Sequence, residues 1–124
     1  MEKIFIEGTR KTPTISFDFG SGKMDIEGNS TPEDPNEFFE PIYNKLIEYV
    51  KTPADSTLLD IRLTYFNTSS SKWILYLLKE FKEILKTNKK LVINWYYDSD
   101  DEDILEAGED YQAILRIPIN FITN

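Results

Sequence analysis

The middle of the chain constrains its fold most. Leu58-Leu59-Asp60-Ile61-Arg62-Leu63-Thr64-Tyr65-Phe66 is largely apolar, as a central strand is. Asn67-Thr68-Ser69-Ser70-Ser71 follows directly, and then a strong amphipathic helix. Trp73, Ile74, Leu77, Leu78, Phe81, Ile84 and Leu85 recur on one face of it, at spacings of three and four. Lys72, Lys79, Glu80, Lys82, Glu83 and Lys86 fall mostly on the other face, and Asn88 supplies a stop. Leu91 to Tyr97 then reads as another strand. Strand, helix and strand in this order predict a right-handed crossover with the two strands parallel. The chain is thereby committed to a sheet with helices packed on it.

The flanking segments fit that frame. Residues 3–6 read as a short first strand. Thr14 to Phe19 and Lys23 to Gly28 alternate polar and apolar around Gly20-Ser21-Gly22. This predicts a β-hairpin with Ile15, Phe17, Phe19, Met24 and Ile26 on its inner face. Phe38, Phe39, Ile42, Tyr43, Leu46, Ile47 and Val50 predict a helix over 35–51. Asp34 is its expected N-cap and Pro35 its first residue, with Pro41 expected to bend it slightly. Asp101 to Ala113 reads as a shorter acidic helix with Ile104, Leu105, Ala107 and Tyr111 inward. Ile114 to Ile122 reads as a final edge strand interrupted by Pro118. The order is β-β-β-α-β-α-β-α-β, a mixed α/β or α+β sheet. No repeat or long linker divides residues 1–124, so one domain is expected.

Composition then removes most catalytic chemistries. The chain has no His and no Cys. It therefore has no imidazole base, thiolate nucleophile, disulfide, or zinc or iron–sulfur site of the usual kind. A metal would need oxygen ligands, which suits Mg²⁺ or Ca²⁺. Asp plus Glu is 22 against 14 for Lys plus Arg, a net charge of −8. That balance argues against nucleic acid or an anionic membrane as partner. Residues 98–110 hold eight of the acids and no Lys or Arg, so the rest of the chain is neutral. Residues 1–8 lack a signal peptide's apolar run, and no stretch is long enough to span a bilayer. A soluble, cytoplasmic protein with no membrane insertion and no cofactor is expected.

Three features could carry chemistry. In Asn67-Thr68-Ser69-Ser70 one side chain must cap the helix, because its first N–H groups have no internal partner. One cap would suffice, yet hydroxyls are clustered. A phosphate esterified there would meet free N–H groups and the positive end of the helix dipole. Asp98 to Glu109 superficially matches an EF-hand loop, with Asp98, Asp100, Glu102 and Glu109 in ligand places. Its sixth place holds Asp103 where a sharp turn needs Gly, and the helix pattern begins inside it. A solvated acidic helix start or a partner-facing patch is the expectation. Finally, Trp73, Tyr76, Phe81, Trp95, Tyr96 and Tyr97 are expected mostly in the core. Neighbours in a strand point to opposite faces, so at least one of Trp95-Tyr96-Tyr97 faces away from the others.

These residues also carry a resemblance. Ile6-Glu7-Gly8-Thr9-Arg10-Lys11-Thr12-Pro13, Ile26-Glu27-Gly28-Asn29-Ser30-Thr31-Pro32-Glu33 and Trp95-Tyr96-Tyr97-Asp98 resemble segments of the SiaC-type regulatory phosphoproteins. The most specific stretch is Leu59 to Lys72, similar to the family's leucine-rich strand followed by Asn-Thr-Ser-Ser. The resemblance implies a STAS-like fold, like that of the anti-sigma-factor antagonists, and a non-enzymatic partner-switch protein. It implies phosphorylation of Thr68 by a dedicated Ser/Thr kinase and reversal by a PP2C-like phosphatase. It further implies a target, such as a diguanylate cyclase in cyclic-di-GMP signalling and biofilm control, that only the unmodified form binds. Asn67, Ser69 and Ser70 carry over as capping or recognition residues, and a homodimer is left open.

Two rival readings stand beside this one. A scaffolding module would use the hydroxyl cluster only to cap its helix. An enzyme would need oxygen-liganded Mg²⁺ or Ca²⁺.

Overall fold

Alternation along the strands determines which side of the sheet is covered. In the computed structural model, which describes residues 2–124, six strands form one sheet in the order β1-β2-β3-β4-β5-β6. They are β1 (Lys3–Ile6), β2 (Thr14–Asp18), β3 (Lys23–Ser30), β4 (Ser56–Phe66), β5 (Lys90–Tyr97) and β6 (Asn120–Thr123). The first three pair antiparallel, and β3 through β6 pair parallel. The parallel pairs are joined by α1 (Pro35–Tyr49), α2 (Thr68–Lys82) and α3 (Glu102–Leu115). The expected element order is therefore the observed one.

Register aligns the apolar residues into rows across the sheet. Ile15, Ile26, Ile61, Trp95 and Phe121 are successive partners, as are Phe17, Met24, Leu59 and Ile93. Phe39, Ile42 and Leu46 of α1, Ile74, Leu77 and Phe81 of α2, and Ile104 and Tyr111 of α3 join the same buried cluster. Burial of this kind contributes about 1.5–3 kcal/mol per large side chain. All five residues expected on the hairpin's inner face are buried.

The residues between those rows face the other way and are polar. Ser16, Asp25, Asp60, Asn94 and Asn120 are successive register partners on the uncovered face. Asp25 and Asp60 lie side by side, and Lys23 reaches both, at 3.0 and 2.7 Å. Asn94 donates to Asp60 at 2.9 Å, and Arg62 lies 3.4 Å from Asp25. Burial works to raise the Asp60 carboxyl, but the Lys23 and Asn94 hydrogen bonds and the charges of Lys23 and Arg62 hold it below the usual range. Arg62 also stacks 4.0 Å from the centre of the Tyr96 ring. Tyr96 thus faces away from Trp95, which is fully buried.

Three boundaries differ from expectation. The segment read as a strand over 114–122 begins as helix. The inward series Ile104, Gly108, Tyr111, Leu115 keeps helical spacing, so α3 runs to Leu115. Arg116 then takes the left-handed conformation at φ 55°, and strand pairing starts only at Asn120, beyond Pro118. Leu85, expected inward, is exposed. A 3₁₀ turn over Glu83–Lys86 follows α2 and changes the period from 3.6 to 3.0 residues, which swings Leu85 out of line. Helix α1 ends at Tyr49, short of 51, and continues through Pro41. Asp34 caps it as expected, accepting from the Glu37 N–H at 3.0 Å. No helix among the described residues is long and apolar enough to cross a membrane.

Candidate functional site

Strand β4 delivers the chain to the carboxyl edge of the sheet, where Asn67 turns it into α2. The Asn67 carboxamide oxygen accepts from the Ser70 N–H at 3.0 Å and from the Ser69 hydroxyl at 3.2 Å. Its carbonyl accepts the first helical bond, from the Ser71 N–H at 2.9 Å. The capping role expected of the cluster thus belongs to Asn67.

The hydroxyls behind Asn67 divide into tied and untied. Ser70 is fully buried and accepts from the Ser30 hydroxyl at 2.8 Å. The Tyr111 hydroxyl donates to the Ser71 carbonyl at 2.9 Å, so the Ser71 hydroxyl donates to Tyr111 across 2.8 Å. This bolts α3 to the first turn of α2. Burial pushes the Tyr111 hydroxyl up to about 12; the nearby Asp110 adds to that, and the Ser71 bond opposes it. Thr68 differs from all three. Its side chain is exposed, and among the described residues its hydroxyl has no hydrogen-bond partner. The Thr68 and Ser69 N–H groups are likewise unpaired among the described residues.

Thr68 stands on the wall of a cleft of about 410 Å³ between the starts of α2 and α3. Phe66, Ile104 and Ala107 supply apolar lining, Tyr65 stands beside Thr68, and Asp101 and Asp103 form the opposite wall. Tyr65 is 58% exposed. That exposure has a local cause. Tyr65 shares the parity of Leu59, Ile61 and Leu63, which face the core. The β3–β4 register slips at Gly28/Asn29, where Leu63 pairs with Gly28 and Tyr65 with Asn29, leaving Thr64 without a partner. This bulge reverses the parity, so Phe66 turns in against Trp95 and Tyr65 turns out. Gly28 permits it, at φ +110°.

The far wall is set by Trp95. Its indole N–H donates to the Ile104 carbonyl at 2.9 Å. Gly108 lies against the ring so closely that a Cβ there would come within 2.7 Å of the indole nitrogen. Asp101 caps α3 by accepting from the Ile104 N–H at 3.0 Å. The acidic segment over 98–109 is therefore a tight turn and a helix start, as expected, with α3 beginning at Glu102 inside the stretch that superficially matches an EF-hand loop.

Among the expected site residues, Asn67, Ser69 and Ser70 form the cap and its buried support, and Thr68 alone faces solvent untied. Asp101, Asp103 and Tyr65 complete the cleft. The bulge hid Tyr65 from pattern reading, and only tertiary packing brings the acidic helix opposite Thr68. The arrangement is an accessible hydroxyl at the positive end of a helix, and the described residues place no hydrogen-bonded base on it.

Comparisons with known proteins agree in extent. The family model described as SiaC family regulatory phosphoprotein matches residues 6–124. An uncharacterised protein of Pseudomonas aeruginosa strain UCBPP-PA14 is 29% identical over 118 residues, which is 95% of this chain and 94% of the relative. The crystal structure of apo-SiaC from P. aeruginosa superposes with a TM-score of 0.87 at 27% identity, covering 99% of this chain and 100% of that one. SiaC in the crystal structure of the diguanylate cyclase SiaD with its activator SiaC superposes with a TM-score of 0.88 at 27% identity, covering 98% and 99%.

Proposed function

Because the chain belongs to the SiaC family of regulatory phosphoproteins, we propose that it is a non-enzymatic partner switch thrown by phosphorylation of Thr68. In this reading the unmodified form binds and activates a diguanylate cyclase, as SiaC of P. aeruginosa is the activator of SiaD. A cognate Ser/Thr kinase modifies Thr68, and a PP2C-like phosphatase restores it. The output is control of cyclic-di-GMP signalling and, through it, of biofilm formation.

The observation that carries this reading is the contrast among the hydroxyls. Ser69, Ser70 and Ser71 each hold a hydrogen bond, whereas Thr68 is exposed and its hydroxyl holds none among the described residues. A kinase could take its hydroxyl without dismantling the first turn of α2. The phosphate would add nearly two negative charges beside the unpaired N–H groups of Thr68 and Ser69. It would also stand over an apolar lining and across from Asp101 and Asp103. A partner covering Tyr65 and that lining would then have to bury the dianion. A penalty of about 3 kcal/mol lowers affinity more than a hundredfold, enough to empty a micromolar complex.

The test is capture of the cyclase by the purified chain. Wild type and Thr68→Ala should retain it, and Thr68→Asp should release it. Equal capture by Thr68→Ala and Thr68→Asp would remove the switch.

A further inference from the structure

The opposite end of α2 carries a second feature that the Thr68 switch does not use. Between the last turns of α2 and α3 lies a hollow of about 450 Å³ lined by Leu75, Tyr76, Lys79, Lys82, Ile114 and Leu115, with Lys86 at its edge. It sits about 20 Å along the helix from Thr68, at 1.5 Å per residue. On a chain whose net charge is −8, this hollow gathers three lysines and one acid, Glu83. Lys86 is paired with Glu83 at 2.9 Å, while Lys79 and Lys82 have no acidic partner among the described residues.

Lysines in a last helical turn favour the helix dipole, and that alone would explain Lys79 and Lys82. It does not explain the apolar surface between them and α3. Ile114 is 64% exposed and Tyr76 is 42% exposed. Ile114 lies on a different helix, where the dipole of α2 gives no reason for it. Apolar side chains left open between two helix ends and edged by free ammonium groups form a surface that complements an apolar stripe flanked by carboxylates.

We propose that this hollow docks an acidic amphipathic helix of a protein partner, apolar face down and Asp or Glu over Lys79 and Lys82. A groove between neighbouring helices accepts a third helix by the ordinary ridge-and-groove packing. Helical spacing would place one apolar anchor against Leu75 and Leu115 and the next against Tyr76 and Ile114. Nucleic acid shares the charge but not the apolar stripe, and the overall net charge of −8 opposes both nucleic acid and an anionic lipid surface.

A designed sixteen-residue helix with leucines at i, i+3, i+4 and i+7 and glutamates on both flanks is the probe, about sixteen residues being enough to span the two helix ends. Its binding to the full chain is read by fluorescence anisotropy beside a twin with lysines for the glutamates. The glutamate peptide should bind at least tenfold tighter than the twin, and Lys79→Glu/Lys82→Glu should reverse that preference. Ile114→Asp should weaken the glutamate peptide about tenfold, with the circular-dichroism melt of every variant unchanged. Equal binding of the two peptides, no binding of either, or indifference to Lys79→Glu/Lys82→Glu overturns the proposal. So does tighter capture of phosphatidylglycerol vesicles or of single-stranded DNA than of the peptide. A dimer of the free chain that Ile114→Asp dissolves also overturns it, because a second copy would then be the occupant. Thr68→Asp should leave peptide binding intact, so failure here and failure of the switch give separate results.

Discussion

The first turn of α2 has two sides, and they are tied to the rest of the fold to opposite degrees. On the inner side Ser70 is buried against Ser30, and Ser71 is bonded to Tyr111 of α3. On the outer side Thr68, in the same turn, is exposed and, among the described residues, untied. The same chemical group thus holds the fold together at one position and, among the described residues, is left without a partner two residues away. A switch needs this separation, because a hydroxyl with a structural task could not accept a phosphate without costing stability.

Substitutions should fall into order along that division. Ser70→Val should cost most, about 2–3 kcal/mol, because it leaves the buried Ser30 hydroxyl without its acceptor and adds volume to a packed site. Urea unfolding would measure it, and a loss under about 0.5 kcal/mol would mean the inner side is not holding the turn. Tyr111→Phe should cost about 1.5 kcal/mol by the same measurement, since it frees α3 from Ser71. It should also change the alkaline limb. The Tyr111 hydroxyl titrates near pH 10 when unfolded and is pushed up to about 12 when folded. Its share of stability is therefore complete below pH 10 and is lost as pH rises through about 12. Tyr111→Phe should flatten that decline.

Asn67→Ala should cost about 1 kcal/mol, the ordinary loss of an N-cap. Thr68→Ala should cost least, under about 0.5 kcal/mol, as a surface change that breaks no bond does. A large stability loss at Thr68 would erase the difference between the two sides.

Much of this architecture could be read from the chain. Alternation in Thr14–Phe19 and Lys23–Gly28 placed the hairpin's inner face correctly, because a half-buried strand has only one way to present its apolar side. The run from Leu58 to Phe66, followed by an amphipathic helix, announced the parallel pair β4–β5. Asn67 to Ser70 marked the candidate site, since a hydroxyl cluster at a strand-to-helix junction exceeds what capping needs. What escaped was whatever depends on an interruption of period. Thr64 breaks the alternation by a bulge, so Tyr65 turned outward against its parity. Glu83–Lys86 tighten to 3₁₀ and expose Leu85. Arg116 ends α3 by a left-handed residue that carries no sequence signal, so the apolar pattern of Ile114 and Leu115 resembles the start of a strand although both lie in the helix. Asn67 ties Ser69 locally, but Ser70 and Ser71 are tied by partners distant in sequence, Ser30 and Tyr111, and only the fold brings those near.

The central claim is that Thr68 is the hydroxyl whose phosphate releases the target. Its most direct test treats the chain with its cognate kinase, maps the phosphate by mass spectrometry, and titrates modified and unmodified forms against the cyclase by calorimetry. A single phosphate on Thr68 and an affinity loss of at least about a hundredfold are the expected results. Phosphate on Ser69, Ser70 or Ser71 with Thr68 unmodified, or equal affinity of the two forms, would contradict the claim.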